Sequence, residues 1–258
     1  MEESVIIDNA AISMFEYRAD ELILSNSRDE LIDFVLAIDK PHFVFDDGFI
    51  EVRYFYTLAN CYSTAHKYHD TDWYSDDLTK AIINYRKALH IIKSNPYPDI
   101  NHLNLRSRIE TNLANWLSSQ GRGLCCIPHW DTAIELDNNP VALTCKAENE
   151  LFIAQHLYDE SHVYYHYFQA YQLICLGLKN IDLLHDEQKI AYAEDGKFLG
   201  FKAWFESNFK LSDFDGYKTF KEETETRKQR DYLKWCGDNR LFLNDLNVVV
   251  VNKIWPQF

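Results

Sequence analysis

A chain of 258 residues that is 47% hydrophobic and 26% charged is long enough to bury a large core. It has only six prolines and eight glycines, too few for the frequent turns of an all-β sandwich or barrel, so helices are predicted. The formal net charge of −14 disfavours nucleic acid as a general partner, because binding to phosphates depends on lysines and arginines.

The N-terminal sequence and the cysteines indicate where the protein resides. The start, MEESVIIDNA, carries two acidic residues where a secretory signal needs basic ones. No run approaches the roughly 18 apolar residues needed to cross a bilayer. The six cysteines include no Cys-x-x-Cys pair and mostly occupy apolar helical positions, which predicts buried, reduced thiols. We therefore expect a cytoplasmic protein without a membrane span.

The first predicted helices lie near residues 6 to 38, where Ser27 and Glu30 form a Ser-x-x-Glu capping box. A helical hairpin follows. Apolar and small residues fit one face of each of its two helices: Leu58, Ala59 and Tyr62 on the first, and Ala81, Tyr85 and Ala88 on the second. The stretch HKYHDTDWYSDD, residues 66 to 77, is predicted to be an insertion between them. Ser75, before two acidic residues, marks the start of the second helix.

The same intervals recur further along the chain. A second hairpin is predicted from Leu113, Ala114, Leu117 and Gly121, followed by Cys126, Trp130 and Ala133. A third is predicted from Ala147, Leu151 and Ala154, followed by Tyr167, Ala170 or Tyr171, and Ile174. The breaks NPYPD, SQGRG and DNNP separate these helices. A last helical segment is predicted near residues 186 to 208.

These hairpins resemble the tetratricopeptide repeat (TPR), a unit of about 34 residues built from two antiparallel helices. In that family a small residue lets the helices approach closely and an aromatic side chain fills the space opposite. The second hairpin follows the pattern best, and Pro140 falls where the family often ends a unit. The resemblance implies an all-α fold, an α-α superhelix over residues 1–209, because each hairpin must stack on its neighbours to complete its core.

In such arrays the first helix of each hairpin lines a concave surface that binds a protein or peptide partner. Six residues are predicted to face this groove: Arg53, Asn60, Arg108, Asn112, Asn115 and Lys146. Asn60 and Asn112 match positions at which some TPR proteins hold a partner's C-terminal carboxylate, but Tyr56 stands where those proteins have a lysine. The groove is therefore either a carboxylate-binding site for an acidic peptide or a solvated polar surface.

Two histidine clusters have spacings that could bind a metal ion. One contains His162 and His166, four residues apart, near His156 and Asp159, and the other contains His66, His69, Asp70 and Asp72. The first is better explained as an aromatic helix face, so no metal and no cofactor are predicted. Phosphate-loop, dinucleotide, zinc-protease and serine-hydrolase motifs are absent from the sequence, and no catalytic residue is predicted.

The C-terminal extension, residues 210–258, has a different charge balance. Its segment from Lys210 to Arg240 contains eight basic and seven acidic residues, so it is the part most compatible with RNA. Three features resemble the entry of a bacterial HEPN domain and imply a truncated copy of it: Trp235, the run Asn239 to Asn244, and Leu246 with Asn247. Many HEPN domains are metal-independent ribonucleases with an Arg-x4-6-His site, often paired across a dimer. Arg122 and His129 fit that spacing, but by chance.

The sequence therefore predicts a protein-binding or sensing helical-repeat module. The HEPN resemblance implies that it is the regulatory front part of a bacterial RNA-targeting defence or toxin effector, and a homodimer is compatible with it. The alternative is a minimal or degenerate ribonuclease with Arg227, Arg230 and Arg240 facing RNA. A third hypothesis is a peptide scaffold unrelated to any nuclease.

Overall fold

The computed structural model describes residues 5–25, 27–39, 43–67, 75–95, 99–156, 160–183, 189 and 197–208. For residues 160–164 and 197 it describes the backbone alone. The chain divides into two compact units, Met1–Lys202 and Ala203–Phe258. The helices and strands below belong to the first unit, except that the last helix runs past its boundary.

Helices dominate the described part of the chain. They are α1 (Asn9–Ser25), α2 (Arg28–Ile38), α3 (Gly48–Lys67), α4 (Asp76–Ser94), α5 (Ile100–Ser119), α6 (Gly123–Asp137), α7 (Pro140–His156), α8 (Glu160–Lys179) and α9 (Lys197–Asn208). A 3-10 turn follows α8 at Ile181–Leu183, and two short strands are β1 (Val5–Ile7) and β2 (Phe43–Phe45). None of these helices is both long enough and apolar enough to cross a membrane.

The helices of the first unit pack in sequence order. Helix α3 packs against α4, α5 against α6, and α7 against α8, and each of these hairpins also contacts the next one. Helices α1 and α2 contact each other and α3 in the same manner. This is the all-α, helical-repeat superhelix that the residue spacing predicted, and that prediction is confirmed.

Small and large residues alternate across each hairpin as the repeat requires. Ala59, Ala114 and Ala147, one on each first helix, are fully buried. Tyr85, Trp130 and Ile174, one on each second helix, are equally inaccessible. The third hairpin also ends with Gly177, three residues after Ile174, where the first two have Ala88 and Ala133. A Cβ atom on Gly177 would lie 3.4 Å from Thr144 Cγ2, so the two helices cross closely here.

The N-terminal segment begins with a strand where the sequence predicted a helix from near residue 6. Val5, Ile6 and Ile7 pair in parallel with Phe43, Val44 and Phe45. β-branched residues favour the extended conformation, and Asp8 then starts α1 by accepting the Ala11 N–H through its side chain at 2.8 Å. The helix prediction was wrong for these three residues because their strand partner lies far away in the sequence.

Two local predictions about helix ends also need correction. Ser27 precedes α2, but its side chain makes no capping hydrogen bond, so the predicted capping box does not form. The predicted insertion, residues 66 to 77, is shorter than expected, because His66 belongs to α3 and Asp77 to α4. Ser75 does cap α4, since its hydroxyl accepts the Leu78 N–H at 3.2 Å.

Candidate peptide-binding groove

Helices α1, α3 and α5 lie side by side, and each forms a hairpin with the helix that follows it: α1 with α2, α3 with α4, and α5 with α6. Because the two helices of each hairpin are antiparallel, these first helices all run in the same direction. Arg53 of α3 bonds Glu16 of α1, and Asn112 of α5 bonds Asn60 of α3. We call the shared face of these helices the groove, defined by Asp20, Tyr56, Asn60, Arg108, Asn112 and Asn115.

Asn60 and Asn115 occupy equivalent positions in the first two hairpins, and the same kind of bond fixes both. The Asn60 Oδ1 atom accepts the Tyr85 hydroxyl at 2.7 Å, and the Asn115 Oδ1 atom accepts the Trp130 indole N–H at 2.9 Å. An indole nitrogen can only donate, so the carbonyl of Asn115 must face the core. The amide nitrogen of each asparagine therefore points away from its aromatic partner. Ile174, at the equivalent place in α8, has no polar group to offer.

Tyr56 and Asn112 complete a polar network between α3 and α5. The Asn112 Nδ2 group donates to the Tyr56 hydroxyl at 3.3 Å and to the Asn60 carbonyl oxygen at 3.4 Å. Burial raises the pKa of Tyr56, although its bonds to Asn60 and Asn112 and the nearby Arg108 guanidinium act in the opposite direction. Tyr56 thus stays a neutral hydroxyl where a carboxylate-binding TPR protein would have a cationic lysine.

Arg53 is committed to contacts within the protein. Its guanidinium donates to Glu16 Oε1 at 2.9 Å, to Asn9 Oδ1 at 2.6 Å and to Ser13 Oγ at 3.1 Å. The hydrogen bond to Glu16 raises the pKa of Arg53 against the opposing effect of burial. Arg53 therefore joins α1 to α3, and its charge is neutralised there.

The two remaining predicted residues differ in position. Arg108 is exposed on α5, and within the described part of the chain it forms no ion pair. Lys146 instead forms an ion pair with Asp131 of α6, on the side of α7 that faces the preceding hairpin. The structure thus brings together Asn60, Arg108, Asn112 and Asn115, while Arg53 bonds α1 beside them and Lys146 lies elsewhere.

Asp20 is a groove residue that the sequence did not predict. It lies one turn after Glu16 on α1, so the two carboxylates share a face. Burial raises the pKa of Asp20, and the neighbouring charge of Glu16 raises it further. Asp20 also raises the pKa of Tyr56 and Cys61 on α3, which places its charge close to that helix. The sequence does show two acidic residues four apart on α1, Glu16 and Asp20, and an arginine on α3, Arg53. It does not show how α1 is aligned against α3, so Asp20 was not predicted to lie in the groove.

The histidines of the two proposed metal clusters make other contacts. The His66 Nδ1 atom lies 2.7 Å from the Ser75 hydroxyl, and the His166 Nδ1 atom lies 2.6 Å from Glu150 Oε2. His156 contacts the Phe152 carbonyl at 2.7 Å. Residues 69, 70, 72 and 159, and the side chain of His162, lie outside the described residues. Within the described ranges, no three His, Cys, Asp or Glu side chains gather as metal ligands.

His129, the histidine with ribonuclease-like spacing from Arg122, contacts a buried carboxylate. Its Nδ1 atom lies 2.5 Å from Glu110 Oε2, and the side chain of Glu110 is fully buried. Arg122 precedes α6 as an exposed residue. The hydrogen bond between His129 and Glu110 joins α6 to α5, which is a structural role.

The C-terminal arginines predicted to face RNA, Arg227, Arg230 and Arg240, lie outside the described residues, as does the HEPN-like block. Comparisons with protein-family models, with curated proteins and with solved structures found no match. The geometry of the groove is therefore the basis for assigning a function.

Proposed function

We propose that this chain is a protein-interaction module whose groove binds an extended peptide segment of a partner protein. The supporting observation is the fixed orientation of Asn60 and Asn115. Each carbonyl accepts a bond from a core aromatic residue, so each amide nitrogen is left to donate toward the groove. One such donor occurs in each of two neighbouring hairpins.

Backbone carbonyls are the acceptors that such donors fit. An extended peptide has an acceptor at every residue and lacks internal hydrogen bonds, so it can use donors that are fixed in space. Because the asparagines are already held by Tyr85 and Trp130, binding costs little side-chain entropy. Arg108, exposed on α5 two turns before Asn115, supplies a charge for specificity.

The proposal is tested by selecting peptides from a random display library on the full chain and measuring their affinity by fluorescence anisotropy. Arg108→Glu should weaken binding by about tenfold or more, because it reverses the exposed charge of the groove. Arg86→Glu is the matched control, since Arg86 is exposed on the second helix α4, and it should change affinity by less than about twofold. Equal effects of the two variants would contradict the proposal.

The finer prediction, a regulatory module of an RNA-targeting HEPN-type effector, depends on the resemblance of residues 235 to 247 alone. It stays a prediction, as does the ribonuclease alternative with Arg227, Arg230 and Arg240. Incubation of the purified full chain with RNA in the presence of a chelator separates these two hypotheses. Cleavage that is lost on changing the three arginines to alanine would support the enzyme.

A further inference from the structure

Asp20 and Arg108 carry opposite charges on the two sides of Tyr56. Arg53 bonds Glu16, so one turn further along both helices Asp20 lies beside Tyr56. Asn112 also bonds Asn60, so one turn earlier on both helices Arg108 lies beside Tyr56. The three residues therefore form a row across α1, α3 and α5. Both charges act on the pKa of Tyr56, in opposite directions.

Neither charge has a partner of its own among the described residues. The Glu16 carboxylate forms an ion pair with Arg53, whereas Asp20 forms no ion pair with any of the described residues. Arg108 lies near Asp137, but that carboxylate accepts the Ser107 hydroxyl at 2.7 Å and forms no ion pair with Arg108. Glu16 and Asp137 thus already accept hydrogen bonds from other residues. Both side chains, Asp20 and Arg108, are exposed, so each charge is free to pair with an opposite charge on a ligand.

Building on the proposed function, we infer that the groove selects a peptide with a basic and an acidic side chain on the same side of an extended strand. The basic side chain contacts Asp20 and the acidic one contacts Arg108, while the amides of Asn60 and Asn115 hold the backbone. Residues four or six apart share a side of a strand and lie about 13 or 20 Å from each other. Neighbouring helix axes are about 10 Å apart, so α1 and α5, with α3 between them, are about 20 Å apart, and peptide side chains of this spacing reach both charges.

For a given direction of the peptide chain, the positions of Asp20 and Arg108 also determine the order of its two charged residues. Because Asp20 and Arg108 are on opposite sides of Tyr56, a peptide running in one direction must present its charges in one order. Reversing both protein charges should therefore reverse the order in the peptide. If the groove attracted acidic peptides through Arg108 alone, the selected peptides would show no preferred order of charges, and reversing both protein charges would not reverse one.

The test is peptide display on four full-length proteins: wild type, Asp20→Lys, Arg108→Glu, and the variant with both changes. Wild type should enrich Lys or Arg four or six residues from Asp or Glu in a constant order. Each single variant should bind the wild-type consensus peptide about tenfold more weakly. The double variant should select the opposite order. Exchanging an exposed pair on α1, Arg18→Glu with Glu21→Arg, is the matched control and should leave the wild-type consensus unchanged.

A consensus without a basic residue, together with unchanged affinity of Asp20→Lys, would overturn the inference. If Arg108→Glu still weakened binding in that case, the proposed groove function would stand. If no selected peptide depended on either charge, both the inference and the proposed function would be contradicted. Circular dichroism of each variant checks that the fold is retained, as expected for two exposed side chains.

Discussion

Glu110 is a fully buried acidic side chain that joins three neighbouring helices. Its Oε1 atom lies 2.8 Å from Lys93 Nζ of α4 and 3.8 Å from Arg106 Nε on its own helix. Its Oε2 atom contacts His129 of α6. Burial acts to raise the pKa of Glu110, but the hydrogen bonds from His129 and Lys93 outweigh it, and the net pKa is lowered. The folded state therefore favours the charged carboxylate.

Glu110→Gln should lower the free energy of unfolding at pH 7 by about 2–3 kcal/mol. Breaking a fully buried ion pair costs about 3–5 kcal/mol, and we expect less because the side chain of Lys93 is 43% exposed and can be hydrated. Urea denaturation measures the loss, and Glu21→Gln, in the exposed pair with Arg18, should leave stability unchanged.

The difference in free energy of unfolding between wild type and Glu110→Gln should depend on pH in one direction. A lowered folded pKa contributes stability above the ordinary value of 4.5, and the contribution is lost as pH falls through the folded pKa. The gap between wild type and Glu110→Gln should therefore narrow below about pH 4.5. A gap that widened on acidification would contradict this assignment.

At the residue scale, sequence reasoning recovered positions better than partners. The repeat spacing predicted that Asn60, Asn112 and Asn115 share one face of the first helices, and the structure places Asn112 within bonding distance of Asn60. That Arg53 bonds Glu16 could not be predicted, since α1 has no repeat signature to set its register against α3. Tyr85 and Trp130, which bond Asn60 and Asn115, were predicted only as core residues. An asparagine does recur at the same position in the first helix of both hairpins, and this recurrence was visible in the sequence.

At the element scale, the close crossing of α7 and α8 depends on Gly177. A Cβ atom there would lie 3.4 Å from Thr144 Cγ2, 3.7 Å from Leu143 Cβ and 3.9 Å from the Pro140 carbonyl oxygen. No space remains for a longer side chain. Gly200 in α9 is the opposite case, because a Cβ atom there would meet none of the described residues within 4 Å.

Gly177→Leu should therefore destabilise the protein by about 1–3 kcal/mol through overpacking. Gly200→Leu should leave stability unchanged or raise it by up to about 1 kcal/mol, since leucine is the better helix former. The midpoints of urea denaturation of Gly177→Leu and Gly200→Leu, each compared with wild type, measure the two effects. Similar losses in both variants would mean that α7 and α8 do not cross closely at Gly177.

The long helices were predictable because apolar positions recur along their whole length. The strands β1 and β2 were missed because three residues give no periodicity and their pairing joins Val5 to Phe43.

The end of α5 follows from local backbone geometry. Gly121 has a φ of +75°, and the N–H groups of Gly121 and Arg122 bond the carbonyls of Ser118 and Leu117. The break predicted at SQGRG is therefore a glycine-terminated helix end.

At the scale of the whole molecule, the stacking of hairpins creates the groove. No single hairpin carries Asp20, Tyr56 and Arg108 together, because the three residues belong to successive first helices. The sequence predicted this stacking from the unsatisfied apolar face of each hairpin. It did not predict the opposite charges on the two sides of Tyr56, which depend on the register between helices.

Hydrogen–deuterium exchange of the full chain, with and without a peptide selected from the library, tests whether the peptide binds in the groove. A peptide in the groove should slow amide exchange in α1, α3 and α5 and leave α2, α4 and α6 unchanged, because only the first helices face it. The slowing should disappear in Arg108→Glu. Slower exchange confined to the second helices would show that the peptide binds outside the groove and would contradict the account.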